Sequence, residues 1–248
     1  MAGDVTYEPI NTLKAIVDAA WIVDGPVIRF GLPWLKMPFP TRMTVFRADD
    51  AKLFIHSPTA LTRTLQAEID RIGTPAWIVA PNRIHYWWVP EWQAAYPEAQ
   101  VYLAPHIRKQ SAGRIAFPAH MLAGASGYPW DSRIATLPVS GSYMTEFEFF
   151  HRPSRTLVLT DLIENFEPAK LGFAARWLAR LGGVLDPDGG MPRDMRLTFS
   201  RRRRELRQAV EAMIAWEPER IIVAHGRWYD RNAVAELRRA FRWVLERP

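Results

Sequence analysis

The stretch PAWIVAPNRIHYWW, residues 75–88, changes character within a few positions. PAWIVAP is apolar and rich in branched and aromatic side chains, the pattern of a buried strand. Asn82 follows at once, and His85 comes three residues later. Other strand-like runs finish in the same way: AKLFI runs into His56, TLVLT into Asp161 and RIIVA into His225. In open α/β sheets, ligand sites collect outside the carboxyl ends of the strands. With these strands side by side, His56, Asn82, His85, Asp161 and His225 converge. Two or three imidazoles and a carboxylate suit a borderline divalent metal such as Zn, Fe or Mn.

Each residue alone has a plainer reading. A chain leaving the core ends on a polar residue, and a buried His commonly pairs with a backbone carbonyl. The conjunction says more, because three of the six His residues fall at this one structural position. His106 and His151 sit in blander contexts. His120, in a Gly/Ala-rich loop, is placed to fold over the site.

The chain around these runs alternates strands and helices, which implies a layered α/β fold. AWIVDGPVIRF reads as a strand pair, followed by a Pro-rich loop, Gly31–Pro40, that holds Trp34, Leu35, Met37 and Phe39 and suits a lid or subunit contact. Two strands join at Ala48-Asp49-Asp50. A helix over Leu61–Ile72 takes Thr59 or Thr62 as its cap. EWQAAYPE is a short helix, QVYLAP a strand, and residues 108–131 a loop. TEFEFFHRPSRTLVLTD is a strand pair whose Glu146 and Glu148 share one face. Both glutamates read as solvent-facing, with Glu146 as an extra ligand or general base in the alternative. A helix over Pro168–Leu181, an Arg-rich helix after Arg201, and a terminal helix over Asn232–Leu245 complete the chain. Trp87, Trp88 and Trp92 form either an aromatic wall over the site or, for two of the three, packing of a short helix onto the sheet.

Composition narrows the chemistry. The 248 residues include no Cys, which removes thiolate metal sites, iron–sulfur clusters and a Cys nucleophile. Any metal therefore sits on His, Asp or Glu. The net charge of +6 comes from a basic set of 27 Arg and 5 Lys. The tight basic cluster, Arg201–Arg204, opens an amphipathic helix and reads as a solvated face, with an anionic ligand or membrane surface as the sharper alternative. Nucleic-acid binding is disfavoured. The start, MAGDVTYEPINTLK, shows no leader pattern. No run reaches the roughly 18 apolar residues of a spanning helix, so the expected compartment is the cytoplasm, with no membrane partner.

The segments YEPINTLKAIVDAAWIVDGPVIR, FPTRMTVFR, LFIHSPTALT, IVAPNRIHYWWVPEWQAAYPEAQVYLAP, FEFFHRPSRTLVLTDLIENF and IIVAHG span most of the chain. Together they resemble the metallo-β-lactamase superfamily, and within it a bacterial family of uncharacterised proteins with a domain of unknown function. The resemblance implies an αββα sandwich over residues 1–248 as one domain, with a helical cap inserted at 165–200. The superfamily's His-x-His-x-Asp-His motif falls on Pro81–Tyr86. Its two leading His positions hold Pro81 and Arg83, its Asp position holds His85, and its last His position holds Tyr86. A later His falls near Ser142. The bridging Asp matches Asp161, the final His matches His225, and His56 stands where a buttressing Asp is usual.

One metal site of the superfamily is therefore lost, while the other retains His85, Asp161 and His225. The resemblance then implies one divalent ion (Zn, Fe or Mn) and a metal-dependent hydrolase of unknown small-molecule substrate, with His56 or Asn82 orienting a ligand or water. The alternative is a non-catalytic member of the fold that serves as a binding or interaction module. Either is compatible with a homo-oligomer.

Overall fold

A short strand, β1 (Lys14–Val17), leads into a long antiparallel hairpin made of β2 (Ala20–Leu32) and β3 (Leu35–Asp49). The computed structural model describes residues 5–32, 35–49 and 51–246. AWIVDGPVIRF is thus one strand and not a pair, with a register irregularity between Gly25 and Ile28 that accommodates Pro26. Within the expected Pro-rich loop, residues 31–32 and 35–40 are likewise strand. β3 pairs with its second neighbour only from Thr44 onward, so Pro38 and Pro40 lie where a missing N–H breaks no ladder bond. Trp34 and Asp50 lie outside the described residues.

The sheet continues through β4 (Lys52–His56), α1 (Arg63–Ile72), β5 (Thr74–Ala80), α2 (Val89–Ala95), β6 (Gln100–Leu103), α3 (Ile107–Gln110) and β7 (His120–Met121). Its seven strands run in chain order, antiparallel up to β4 and parallel from β4 to β7. Thr62 caps α1 by accepting the Leu65 N–H, which contributes about 1 kcal/mol. Leu65 and Ile69 of α1 bury one helix face.

The second sheet uses β8 (Ile134–Ser140), β9 (Thr145–His151), β10 (Thr156–Leu159) and β11 (Arg220–Val223), ordered β11-β10-β9-β8. Between β10 and β11 lie a 3₁₀ turn (Pro168–Lys170), α4 (Phe173–Gly182), α5 (Arg193–Thr198) and α6 (Arg203–Ala215). The chain closes with α7 (Ala233–Ala240) and α8 (Arg242–Leu245). Sequence reading missed β8 and α5. RIATLPVS carries a proline and lacks clean alternation, and RDMRLT is too short to show a helical period.

Side-chain alternation along the second sheet builds two cores. Phe147, Phe149, Val158 and Ile222 face the first sheet and join its Val45, Phe54 and Ile78, with Trp92 of α2, in one cluster. Phe150, Leu157, Leu159, Ile221 and Val223 point the other way, against Leu206, Val210 and Met213 of α6 and Leu237 of α7. The order of layers is helix, sheet, sheet, helix. No helix among the described residues is long and apolar enough to cross a membrane.

Candidate metal centre

β10 and β11 run parallel with Leu159 opposite Val223. Asp161 and His225 therefore leave the sheet at the same level, each two residues past that pair. From the facing sheet, the turn after β5 brings Asn82 and His85 to the same place. The two ring Nε2 atoms lie 3.2 Å apart. His85 Nε2 is 3.3 Å from Asp161 Oδ2, and His225 Nε2 is 3.1 Å from Asp161 Oδ1. All three residues are buried, and a ligand atom from each lies within 4.8 Å of the others.

The outer nitrogens are held from behind. His225 Nδ1 donates to the Pro40 carbonyl at 2.7 Å, and His85 Nδ1 meets Ser57 Oγ at 2.8 Å. This pattern points both Nε2 atoms inward, as metal-binding histidines require. Asn82 Nδ2 donates to Asp161 Oδ2 at 2.6 Å, and Asn82 Oδ1 accepts the backbone N–H groups of Ile84 and His85. Asn82 thus shapes the turn that carries His85 and also fixes the Asp161 carboxylate. Two imidazole nitrogens and one carboxylate oxygen around one point fit a divalent ion such as Zn.

Burial opposes charge at Asp161, but His85 and His225 outweigh it and hold the carboxyl far below its usual range. Burial likewise opposes an imidazolium at His225. The hydrogen bond and charge of Asp161, with the charge of Glu164, still raise its pKa.

The turn that carries His225 is fixed by residues the sequence reading passed over. Arg42, buried on β3, donates through Nη1 to the carbonyls of Val223 and Gly226 at 2.7 and 2.8 Å. Its other face pairs with Asp24 across the hairpin. Gly226 adopts φ +95°, and a Cβ there would lie 2.0 Å from the Asn165 carbonyl oxygen. Only glycine fits. Asn165 in turn donates to Asp186 and to the Arg227 carbonyl. The Asp24–Arg42 pair is detectable in sequence only once the hairpin register is known.

Glu146 and Glu148 are not solvent-facing. Both are almost completely buried, because the face of β9 opposite Phe147 and Phe149 is covered by the outer helices. Glu146 accepts the backbone N–H groups of Thr160, Asp161 and Leu162 and the Asn82 side-chain amide. It is a bracket for the Asp161 loop and lies outside the cluster of metal-ligand atoms. Burial, then the charge of Asp161, pushes its pKa up, while those N–H bonds pull it back. Glu148 has no donor at either oxygen, and burial with the Glu146 charge holds its pKa well above the usual range.

His56 is buried against Phe149, and neither ring nitrogen has a hydrogen-bond partner. Burial, with the charge of His85, pushes its pKa down to about 3. It does not join the hydrogen-bonded cluster. His120 does not fold over the site; it is exposed on the edge strand β7, stacked on Tyr102. His106 starts α3. Trp92 is buried and donates to the Thr59 carbonyl, Trp88 packs on the core, and Trp87 stacks on Tyr86 at the surface. These tryptophans pack the helix and leave the cavity wall to other residues.

A cavity of about 500 Å³ opens over the cluster, with His85, Asp161, Glu164 and His225 at its polar end. Ile28, Met37 and Phe39 of the hairpin and Ile84 form one side, and Leu178 of α4 with Met195 of α5 forms another. Asp194 and Glu164 add acidic groups, and no Lys or Arg is among the lining residues. Burial pushes the Glu164 carboxyl up to about 8, with the Asp161 charge adding to it and His225 opposing.

Two facing sheets with outer helices, and a His–Asp–His cluster at their shared strand ends, define a protein of the metallo-β-lactamase fold. Solved structures agree. The DIM-1 metallo-β-lactamase is 12% identical over 98% of this chain and 99% of its own, with a TM-score of 0.61. The FIM-1 metallo-β-lactamase from Pseudomonas aeruginosa, in its mono-zinc form, is 13% identical over 94% of this chain and 96% of its own, at 0.58. Rubredoxin oxygen:oxidoreductase from Desulfovibrio gigas is 11% identical over 96% of this chain and 62% of its own, at 0.64. At such identities the likeness is one of fold. The model of a domain of unknown function, DUF4336, matches residues 29–171, more than half of the chain, and the protein belongs to that family. A search of the curated proteins finds no match.

Proposed function

We propose that the chain is a metal-dependent hydrolase with one divalent ion held by His85, Asp161 and His225. The observation that carries this reading is the convergence of two Nε2 atoms on one carboxylate while both Nδ1 atoms are anchored from behind. A bound ion supplies an acidified water or a polarised substrate oxygen. Asn82 orients Asp161 through its amide. His56 contributes a neutral packed ring. Glu164, whose carboxyl is pushed up to about 8 and which lines the cavity, is a group there able to give or take a proton at its carboxyl oxygen. Residues 165–200 act as a cap, since Leu178 and Met195 close the cavity.

The lining also speaks to substrate. Apolar walls, acidic groups and no cation among the lining residues favour an uncharged or cationic apolar molecule over an anion. Metal analysis of protein purified without added chelator tests the reading. The expected result is close to one ion per chain, lost in His225→Ala. Protein with no metal above background would support the alternative, a non-catalytic binding module, whose favouring observation is that Asp161, Asn82, His85 and His225 already satisfy one another.

A further inference from the structure

The largest exposed apolar side chains gather in one place. Phe173, Trp177 and Leu181 are 80%, 53% and 60% exposed, and Leu197 is 74% exposed. Among the described residues these are the large hydrophobics more than half exposed, and they sit on the adjoining helices α4 and α5. The spacing 173, 177, 181 places three of them in one stripe along α4. The helix reverses the usual arrangement. Its small residues Ala175 and Ala179 face inward, against Phe166, Leu171 and Val184, and Phe173, Trp177 and Leu181 face out.

Charge indicates what covers this stripe. Arg176 and Arg180 lie along its flank at helical spacing, and both are exposed. Arg193 reaches the end of α4, its Nε 3.6 Å from the point a Gly183 Cβ would occupy. From 173 to 204 the chain exposes seven arginines (176, 180, 193 and 201–204) against two aspartates, Asp188 and Asp194. A short helix with Phe, Trp and Leu on its outer face and arginines beside them is built to lie in the headgroup region of an anionic bilayer. A second copy of the chain fits less well, because a twofold contact through this stripe brings like-charged arginines together. Beside the stripe, Leu178 turns into the wall of the cavity.

We propose that α4 and α5 dock this protein peripherally on anionic phospholipid membranes. No spanning helix is needed for this. Docking would place the cavity mouth at a source of apolar substrate; that consequence rests on the function proposed above, whereas the docking itself does not.

Vesicle flotation tests the docking. The purified chain should float with vesicles of phosphatidylcholine and phosphatidylglycerol, much less with phosphatidylcholine alone, and less as salt is raised. The triple substitution Phe173→Ser, Trp177→Ser and Leu181→Ser should abolish flotation. Arg176→Glu with Arg180→Glu should weaken it roughly tenfold or more. Both variants should keep the thermal midpoint and metal content of the parent, because the changed side chains are exposed and distant in role from the metal cluster. Failure of the parent to float, or full flotation of the triple variant, overturns the proposal. So does a dimer that the triple substitution splits in sedimentation without any vesicle binding, which would assign the stripe to a second copy.

Discussion

Two buried histidine sites lie in the same sandwich and differ in one respect. At His151, Nδ1 meets Ser154 Oγ at 2.7 Å, Nε2 meets the Arg47 carbonyl at 3.2 Å, and the ring stacks on Phe46. Both nitrogens face structural partners. At His85 and His225 only the outer nitrogen is tied to a structural partner. The inner nitrogens face each other and a carboxylate, beneath an open cavity. A buried histidine is thus no sign of a metal by itself. The direction of its second nitrogen separates the two kinds.

Metal content breaks or upholds this contrast most directly. Asp161→Ala should drop bound metal from about one ion per chain to background, an affinity loss of roughly a hundredfold or more, since changes to residues that only orient a ligand already cost up to that much. His151→Ala should leave metal content unchanged while lowering stability. Elemental analysis beside thermal unfolding reads both. Loss of metal in His151→Ala would erase the distinction.

Glu146→Ala comes next. It leaves the N–H groups of Thr160, Asp161 and Leu162 without their acceptor in a buried loop. The expected cost is about 3–5 kcal/mol in denaturant unfolding, the range for breaking a buried charged network. It should also weaken metal binding, since the same loop presents Asp161.

Much of this was legible beforehand. The strand ends that carry His85, Asp161 and His225 stood out because an apolar run needs no partner information to be seen. Glu146 and Glu148 were misplaced for the opposite reason. Their burial depends on the outer helices packing over that face of the second sheet, a long-range fact, so β9 reads locally as one arm of an exposed hairpin. Arg42 escaped notice because its meaning depends on register with Asp24 and on contact with the turn after β11, both long-range facts. The proline stretch before Arg42 read as loop because a free strand edge leaves no local trace.

Acid should sharpen the contrast by a smaller amount. Burial lowers the His151 pKa to about 4 in the folded chain, against 6.5 for an ordinary imidazole. The folded state therefore binds fewer protons than the unfolded one between these values. The resulting loss of stability begins as pH falls below 6.5 and is complete below about 4, on the order of 3 kcal/mol. Glu148 and Glu164, with raised pKa values, act with the opposite sign, losing stability as pH rises. Comparison with His151→Phe removes their contribution. The parent's stability relative to that variant should decline as pH is lowered through this window in denaturant titrations, and a constant difference would show that His151 is not buried neutral.

The smallest change is the same atom deleted at each site. Ser57 Oγ and Ser154 Oγ contact His85 Nδ1 and His151 Nδ1 at 2.8 and 2.7 Å. Ser57→Ala frees the outer nitrogen of a ring whose inner nitrogen faces the cluster. The ring is then less well oriented, and metal affinity should fall about tenfold, the lower end for residues that hydrogen-bond a metal-binding ring from behind. Ser154→Ala removes a contact of equal length from a ring already fixed by Arg47 and Phe46, and also frees Thr156 Oγ1. It should cost about 1 kcal/mol of stability and leave metal affinity unmoved. Competition with a colorimetric chelator measures the first, and denaturant titration the second. If the two substitutions weaken metal binding equally, the outer hydrogen bond does not orient His85, and the contrast rests on the inner nitrogens alone.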